Sequence, residues 1–172
     1  MRRNKILYIL GLGSNLPIPE INIIKAIKYI NKNRNIKILN YSSFYISKPL
    51  GYKNQPIFIN CALLIETDIK PIIFLKRMKK IEKDLGRVKS FKNGPRKIDI
   101  DILLCENLIL KFKKLKIPHK KFLKRAFEFL PSLEVAPSFI HPKFNKELKE
   151  LSKNLIFKDK AYKSIKPQIA FI

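Results

Sequence analysis

Residues Gly94–Leu104 read GPRKIDIDILL, and the alternation inside that stretch decides the fold. In a strand, successive side chains point to opposite faces. Ile98, Ile100 and Ile102 therefore share one face and enter a core, while Asp99 and Asp101 share the other. A Gly-Pro-Arg turn feeds this strand, and Pro95 restricts the backbone that delivers Arg96.

Working outward, Lys5–Leu12 (KILYILGL) reads as a buried first strand and GLGSN as a tight strand-to-helix turn. Ile23, Ile24, Ile27 and Ile30 recur at helical spacing and predict a helix over residues 21–33. NIKILNYSSFYIS (35–47) reads as one long strand, KPLGYKNQP as a loop and IFINCALLIET (57–67) as a second strand, the two pairing as a wide hairpin. Pro71 opens a helix with an apolar face of Ile72, Leu75, Met78, Ile81 and Leu85, capped by Gly86. LILKFKKLKIPH (108–119) predicts a short hairpin, Lys121–Leu130 a short helix stopped by Pro131, and Asn145–Leu155 an amphipathic helix. Residues 157–172 form a tail of ambiguous structure, and His141 reads as a turn residue. The order strand, helix, strand, strand, helix, strand is that of an α+β sandwich, helices packed on a mainly antiparallel sheet. With 172 residues and no repeat or linker, a single domain over 1–172 is expected.

The chemistry starts from Asp99 and Asp101. Their Cα atoms stand roughly 6.6 Å apart at the strand rise, and two ionised carboxylates so placed repel unless a cation lies near. Hard oxygen donors with room for water and phosphate suit Mg²⁺, and two such ions suit phosphoryl transfer. The same pair is also compatible with the solvent face of an edge strand or with surface salt bridges to lysine. Arg96, three residues before Asp99, and Arg87, after Gly86, bring guanidinium forks to the same locus, where they fit a polyphosphate.

Thirty of the 37 basic residues are lysines, against 13 acidic residues, for a net charge of +24. Such a field attracts polyanions, yet the lysines are dispersed and a solvated surface accounts for them; a ferredoxin-like RNA-binding module is the competing reading. RNA has no use for two aspartates in its site, so no specific nucleic-acid partner is expected. No apolar run reaches the length of a membrane span. Cys61 and Cys105 sit in apolar strand-like runs as buried free thiols, which points to a reducing cytoplasm. Gly11-x-Gly13 lacks the third glycine of a dinucleotide fingerprint, and a Walker A lysine motif is missing.

The blocks LGSN (12–15), SSFYISKPLG (42–51), NQPIFIN (54–60), IExxLGR (81–87), GPRKIDIDILL, IPH (117–119) and RxFEFLPxLEVAP (125–137) occur in one order. In this the chain resembles the 6-hydroxymethyl-7,8-dihydropterin pyrophosphokinases of folate biosynthesis. The resemblance implies a ferredoxin-like α+β sandwich acting as a monomer, with ATP as co-substrate and two Mg²⁺ ions on Asp99 and Asp101. It implies catalytic roles for Arg87 and Arg96, and an ATP side lined by Glu82, Arg87, Lys89, Arg96, His119 and Arg125. The pterin then lies among Ser47, Leu50, Phe58, Asn60 and Phe127, although by sequence alone both phenylalanines read as ordinary core. Residues 48–55 and 87–94 are implied to be lids. The family commonly carries an aromatic residue before GPR, where this chain has Asn93.

Overall fold

The computed structural model describes residues 5–88 and 90–169, so Lys89 lies outside the described residues. Five pairings build the main sheet from β1 (Ile6–Ser14), β2 (Ile36–Tyr41), β3 (Tyr45–Ser47), β4 (Phe58–Thr67), β5 (Asp99–Cys105) and β10 (Ala161–Lys163). Its order is β10-β3-β4-β1-β5, β2 pairs with β4 beyond β3, and every pairing is antiparallel. Helices α1 (Pro19–Asn31) and α2 (Pro71–Asp84) cover one face, burying Ile23, Ile27, Ile30, Phe74, Met78 and Ile81 against Leu10, Leu12, Leu63, Ile98, Ile100 and Ile102. The other face packs Ile9, Ala62, Leu103 and Leu104 against Phe122, Phe129 and Leu148, contributed by a 3₁₀ turn (Phe122–Lys124), α3 (Ala126–Val135) and α4 (Leu148–Ser152). Small hairpins β6–β7 (Leu110–Lys111, Lys116–Ile117) and β8–β9 (Ile140–His141, Lys146–Glu147) complete the chain. The expected α+β sandwich stands, with both layers of helix in place.

Several local expectations are corrected. The glycines of GLGSN are not a turn: β1 runs through them to Ser14. The long strand over 35–47 breaks at Ser42–Phe44, because Glu134 draws the Ser43 N–H and hydroxyl to itself (3.0 and 2.9 Å) and Ser42 Oγ accepts the Ala62 N–H. On α2, Ile72 is exposed and Phe74 fills the core in its place. Pro131 does not stop a helix; it sits buried inside α3, which starts at Ala126 and continues to Val135. An internal proline costs a helix about 3 kcal/mol, and burial of Phe129 and Val135 offsets it. The helix expected over 145–155 shortens to α4, since Asn145 turns with φ 51° and Leu148 is drawn into the core. His141 is a buried strand residue, not a turn residue: Nδ1 accepts the Lys143 N–H at 3.2 Å, and the ring packs on Phe122 and Phe144. The tail docks, with β10 added to β3 as an edge strand.

Candidate active site

The site grows from the pairing of β5 with β1. Asp99 stands opposite Gly13 and Asp101 opposite Gly11, and on the far side of β1 these glycines face Asn60 and Ala62 of β4. The carboxylates thus look across a strip of sheet that carries no side chain. Close approach explains the glycines: a Cβ on Gly11 would lie 2.9 Å from Leu103 Cδ1, and one on Gly13 3.2 Å from Asn60 Oδ1. A β-bulge between β1 and β5 at Ile9/Leu10 turns Leu103 and Leu104 together onto the α3 face, which puts Leu103 beside Gly11.

Above this strip opens a slot lined by Ser47, Leu50, Phe58, Asn60, Arg96, Asp99, Asp101, Arg125 and Phe127. Nine residues nominated from sequence therefore converge on one place. Phe58 and Phe127 are half-buried wall residues and not core, which corrects the plain sequence reading. Each carries a guanidinium over its ring, Arg96 over Phe58 and Arg125 over Phe127, both 5.4 Å from the centroid. Asn60 donates to Tyr45 O (3.2 Å) and Ser47 Oγ (2.9 Å), which fixes its amide in the slot wall.

A second cavity lies between α2 and the loop 87–96, lined by Lys79, Glu82, Arg87, Phe91, Asn93 and Arg96; Arg96 borders both. Here an ion cluster is assembled. Asp99 receives Arg87 Nη1 and Arg96 Nη1, each at 2.5 Å, with Lys79 Nζ at 3.7 Å. Burial disfavours the ionised form of Asp99, but these three cations outweigh it and hold the carboxyl below its ordinary range. For Asp101 the balance reverses: burial and the neighbouring Asp99 charge push it up, and Lys79 at 3.3 Å is its partner. Beneath them Glu82, almost fully buried, takes Arg87 and Lys79 at 2.6 and 2.7 Å and the Ile100 N–H at 2.6 Å.

Asn15 locks the approach to the cluster. Its Oδ1 accepts the Arg96 N–H at 2.8 Å, its own N–H donates to Arg96 O, and Nδ2 donates to Gln55 Oε1 and Pro56 O. The two segments expected to be lids touch: Gln55 Nε2 donates to Asn93 O at 2.7 Å, and the Tyr52 and Phe91 rings meet edge to face at 4.9 Å. Asn93 holds φ 61°, a left-handed turn that asparagine tolerates, so Phe91 supplies the loop's aromatic contact.

Buried Glu128 accepts Arg125 Nη1 at 2.5 Å and pairs with His119 Nδ1 at 2.7 Å. Burial opposes the His119 charge, but Glu128 overcomes it and raises the imidazole pKa. His119 does not line the slot; it acts there through Glu128. Arg125 Nε is buried without a hydrogen-bond partner among the described residues. Sequence reasoning passed over Lys79, Asn15, Glu128 and the two strand glycines. Asn15 and Glu128 fall inside the quoted LGSN and RxFEF blocks; Lys79 had no signal among thirty lysines.

Residues 9–137 match the sequence model of the family described as 7,8-dihydro-6-hydroxymethylpterin-pyrophosphokinase (HPPK). A 2-amino-4-hydroxy-6-hydroxymethyldihydropteridine pyrophosphokinase of Aquifex aeolicus is 43% identical over 141 residues, covering 82% of this chain and 87% of its own. The folic acid synthesis protein FOL1 of Dictyostelium discoideum is 42% identical over 152 residues, which is 88% of this chain and 23% of that protein. A crystal structure of Plasmodium falciparum HPPK-DHPS with pterin and p-hydroxybenzoate shares the fold at a TM-score of 0.62 and 16% identity. That match covers 89% of this chain and 42% of the other. The chain thus spans most of the bacterial relative and under half of the longer proteins.

Proposed function

The chain belongs to the 7,8-dihydro-6-hydroxymethylpterin-pyrophosphokinase family, and from that premise we propose that it transfers the pyrophosphoryl group of ATP to 6-hydroxymethyl-7,8-dihydropterin, releasing AMP. The observation that carries the reading is the contiguity of two environments at Arg96. On one side lies a slot with aromatic walls, a fixed amide and the carboxylates of Asp99 and Asp101, and on the other a cavity lined by Lys79, Glu82 and Arg87. A flat heterocycle suits the first and a polyphosphate the second.

In this reading the pterin lies among Ser47, Leu50, Phe58, Asn60 and Phe127. Phe58 and Phe127 offer apolar faces, and Asn60, whose two amide hydrogens go to Tyr45 O and Ser47 Oγ, offers its Oδ1 as acceptor to the ring edge. Asp99 and Asp101 would hold the two Mg²⁺ ions. The donor set fits: two hard oxygen ligands share a strand face beside the bare Gly11–Gly13 strip, so there is space next to them. Among the described residues no three His, Cys, Asp or Glu side chains could hold a metal on their own, so phosphate and water oxygens complete the set. When bound, the ions neutralise phosphate charge and polarise the attacking hydroxyl.

The chain's own part is orientation and charge. Arg87 and Arg96, anchored on Asp99, stand ready to receive the oxygens of the transferring and leaving phosphates. Glu82 fixes Arg87 from below. Arg125, held by Glu128 that also pairs with His119, lines the slot over Phe127 and is there to meet ATP. Segments 48–55 and 87–94, already in contact, close over both substrates and exclude water, which would otherwise compete as acceptor. Cys61 and Cys105 are both free and buried, which supports a reducing, cytoplasmic setting. No helix among the described residues is long and apolar enough to cross a membrane.

The test is product identity. The protein is incubated with Mg-ATP and 6-hydroxymethyl-7,8-dihydropterin, and the nucleotide product is resolved by chromatography. AMP in equal amount to pterin diphosphate is expected. ADP, or folded protein without turnover, overturns the reading.

A further inference from the structure

We propose that Lys79 is a resident counter-ion of the carboxylate pair, which keeps free divalent cations out and yields its place only when nucleotide phosphates draw it away. This rests on the metal-nucleotide reading above and adds a residue that orders metal entry.

The geometry is unusual for a lysine on a helix surface. From α2, Lys79 Nζ reaches Glu82 at 2.7 Å, Ile100 O at 2.8 Å, Asp101 at 3.3 Å and Asp99 at 3.7 Å. It therefore sits between the two aspartates, where a bridging cation has to lie. Arg87 and Arg96 pair with Asp99, and among the described residues Lys79 is the ion-pair partner of Asp101. The charges of the cluster close: Glu82, Asp99 and Asp101 against Lys79, Arg87 and Arg96. Each partner of Glu82 is a donor, so its carboxylate acts as acceptor only. A divalent ion entering this neutral cluster meets an ammonium already in place, with too few protein ligands to compensate. A triphosphate changes both terms, since it brings further oxygen ligands and gives the ammonium an anion to follow. Lys79 can make that move because its side chain is 40% exposed on a flexible stem, whereas the two arginines are 28% and 26% exposed and fixed on Asp99. Nucleotide and metal thereby enter together.

The experiment is a titration of the intact protein with Mn²⁺ alone, read by calorimetry, with neither ATP nor pterin present. Wild type is expected to bind weakly. Lys79→Gln and the more apolar Lys79→Met are expected to bind about tenfold more tightly or better, as removal of one adjacent positive charge dictates. Lys79→Arg, which keeps the charge, is expected to stay weak. Repeating the titration with α,β-methylene-ATP should close the gap between wild type and Lys79→Gln. Neutral variants that bind Mn²⁺ no better than wild type overturn the proposal, as does a gap of the same size with the nucleotide analogue. Because the first titration contains no substrate, its outcome is separate from whether AMP is formed.

Discussion

Glu82 of α2 accepts the backbone N–H of Ile100 at 2.6 Å, a bond made between the two aspartates of β5. The same carboxylate holds Arg87 and Lys79. One buried group thus sets the height of β5 against the helix that carries Lys79. Glu82→Gln leaves Arg87 and Lys79 without this anion, and breaking a buried pair costs about 3 kcal/mol. Urea denaturation should show that loss, with turnover falling even at saturating substrate because Arg87 is released.

The two aspartates should separate in their effects. Asp99 carries Arg87 and Arg96, so Asp99→Asn is expected to cost about 2 kcal/mol of stability as well as activity. Asp101 is 41% exposed with one ion-pair partner, so Asp101→Asn should leave the melting temperature near wild type. Both should lower kcat by several orders of magnitude, as loss of a metal clamp does. Calorimetric melting beside kcat measurement checks the contrast.

Gly13→Ala tests the bare strip. The new methyl meets Asn60 Oδ1 at 3.2 Å and pushes the amide that the proposed function gives to the pterin. The amide must give by a few tenths of an ångström, enough to misplace a hydrogen bond to a rigid ring. KM for the pterin should rise about tenfold or more, with KM for ATP little changed.

The lids are joined by Tyr52 and Phe91, an edge-to-face pair worth about 1 kcal/mol. Tyr52→Ala should therefore raise the ATP KM several-fold. It should also increase the ATP hydrolysed without pterin, because the cavity admits water. Phosphate release in the absence of acceptor measures this directly.

His141 makes stability pH-dependent. Burial, helped by the charge of Lys143, lowers its pKa from 6.5 to about 4. Between those values the unfolded chain binds a proton that the native chain refuses, so stability falls as pH drops from 6.5 to 4, by about 3 kcal/mol in all. His141→Gln should flatten that part of the curve. Glu134 adds a second loss that starts at its ordinary value of 4.5: burial opposes its charge, but Ser43, Tyr45 and Lys163 hold its pKa down, so its contribution goes as pH falls from there through the lowered value. Melting temperatures from pH 7 to 3.5 resolve the two ranges.

Much of the slot was legible because its residues lie in short ordered blocks. Alternation placed Ile98, Ile100 and Ile102 inside and aimed Asp99 and Asp101 together, as the structure has them. What misled was local grammar. Gly11 and Gly13 look like punctuation and are strand residues beneath a ligand slot. Pro131 looks like a stop and is absorbed into α3, because packing outweighs its cost. Phe58 and Phe127 look like core and form walls, since burial depends on what the rest of the chain brings across from them.

By itself, the sequence determined the alternation of β5, the apolar faces of the helices and the antiparallel sandwich. These follow from periodicity and side-chain type, which are local properties. Only the tertiary structure decided which charges meet. Lys79 is one lysine among thirty until α2 docks on β5 and sets its ammonium between two aspartates, 20 and 22 residues away. Coulomb forces act on distance in space, and no spacing along the chain encodes that distance.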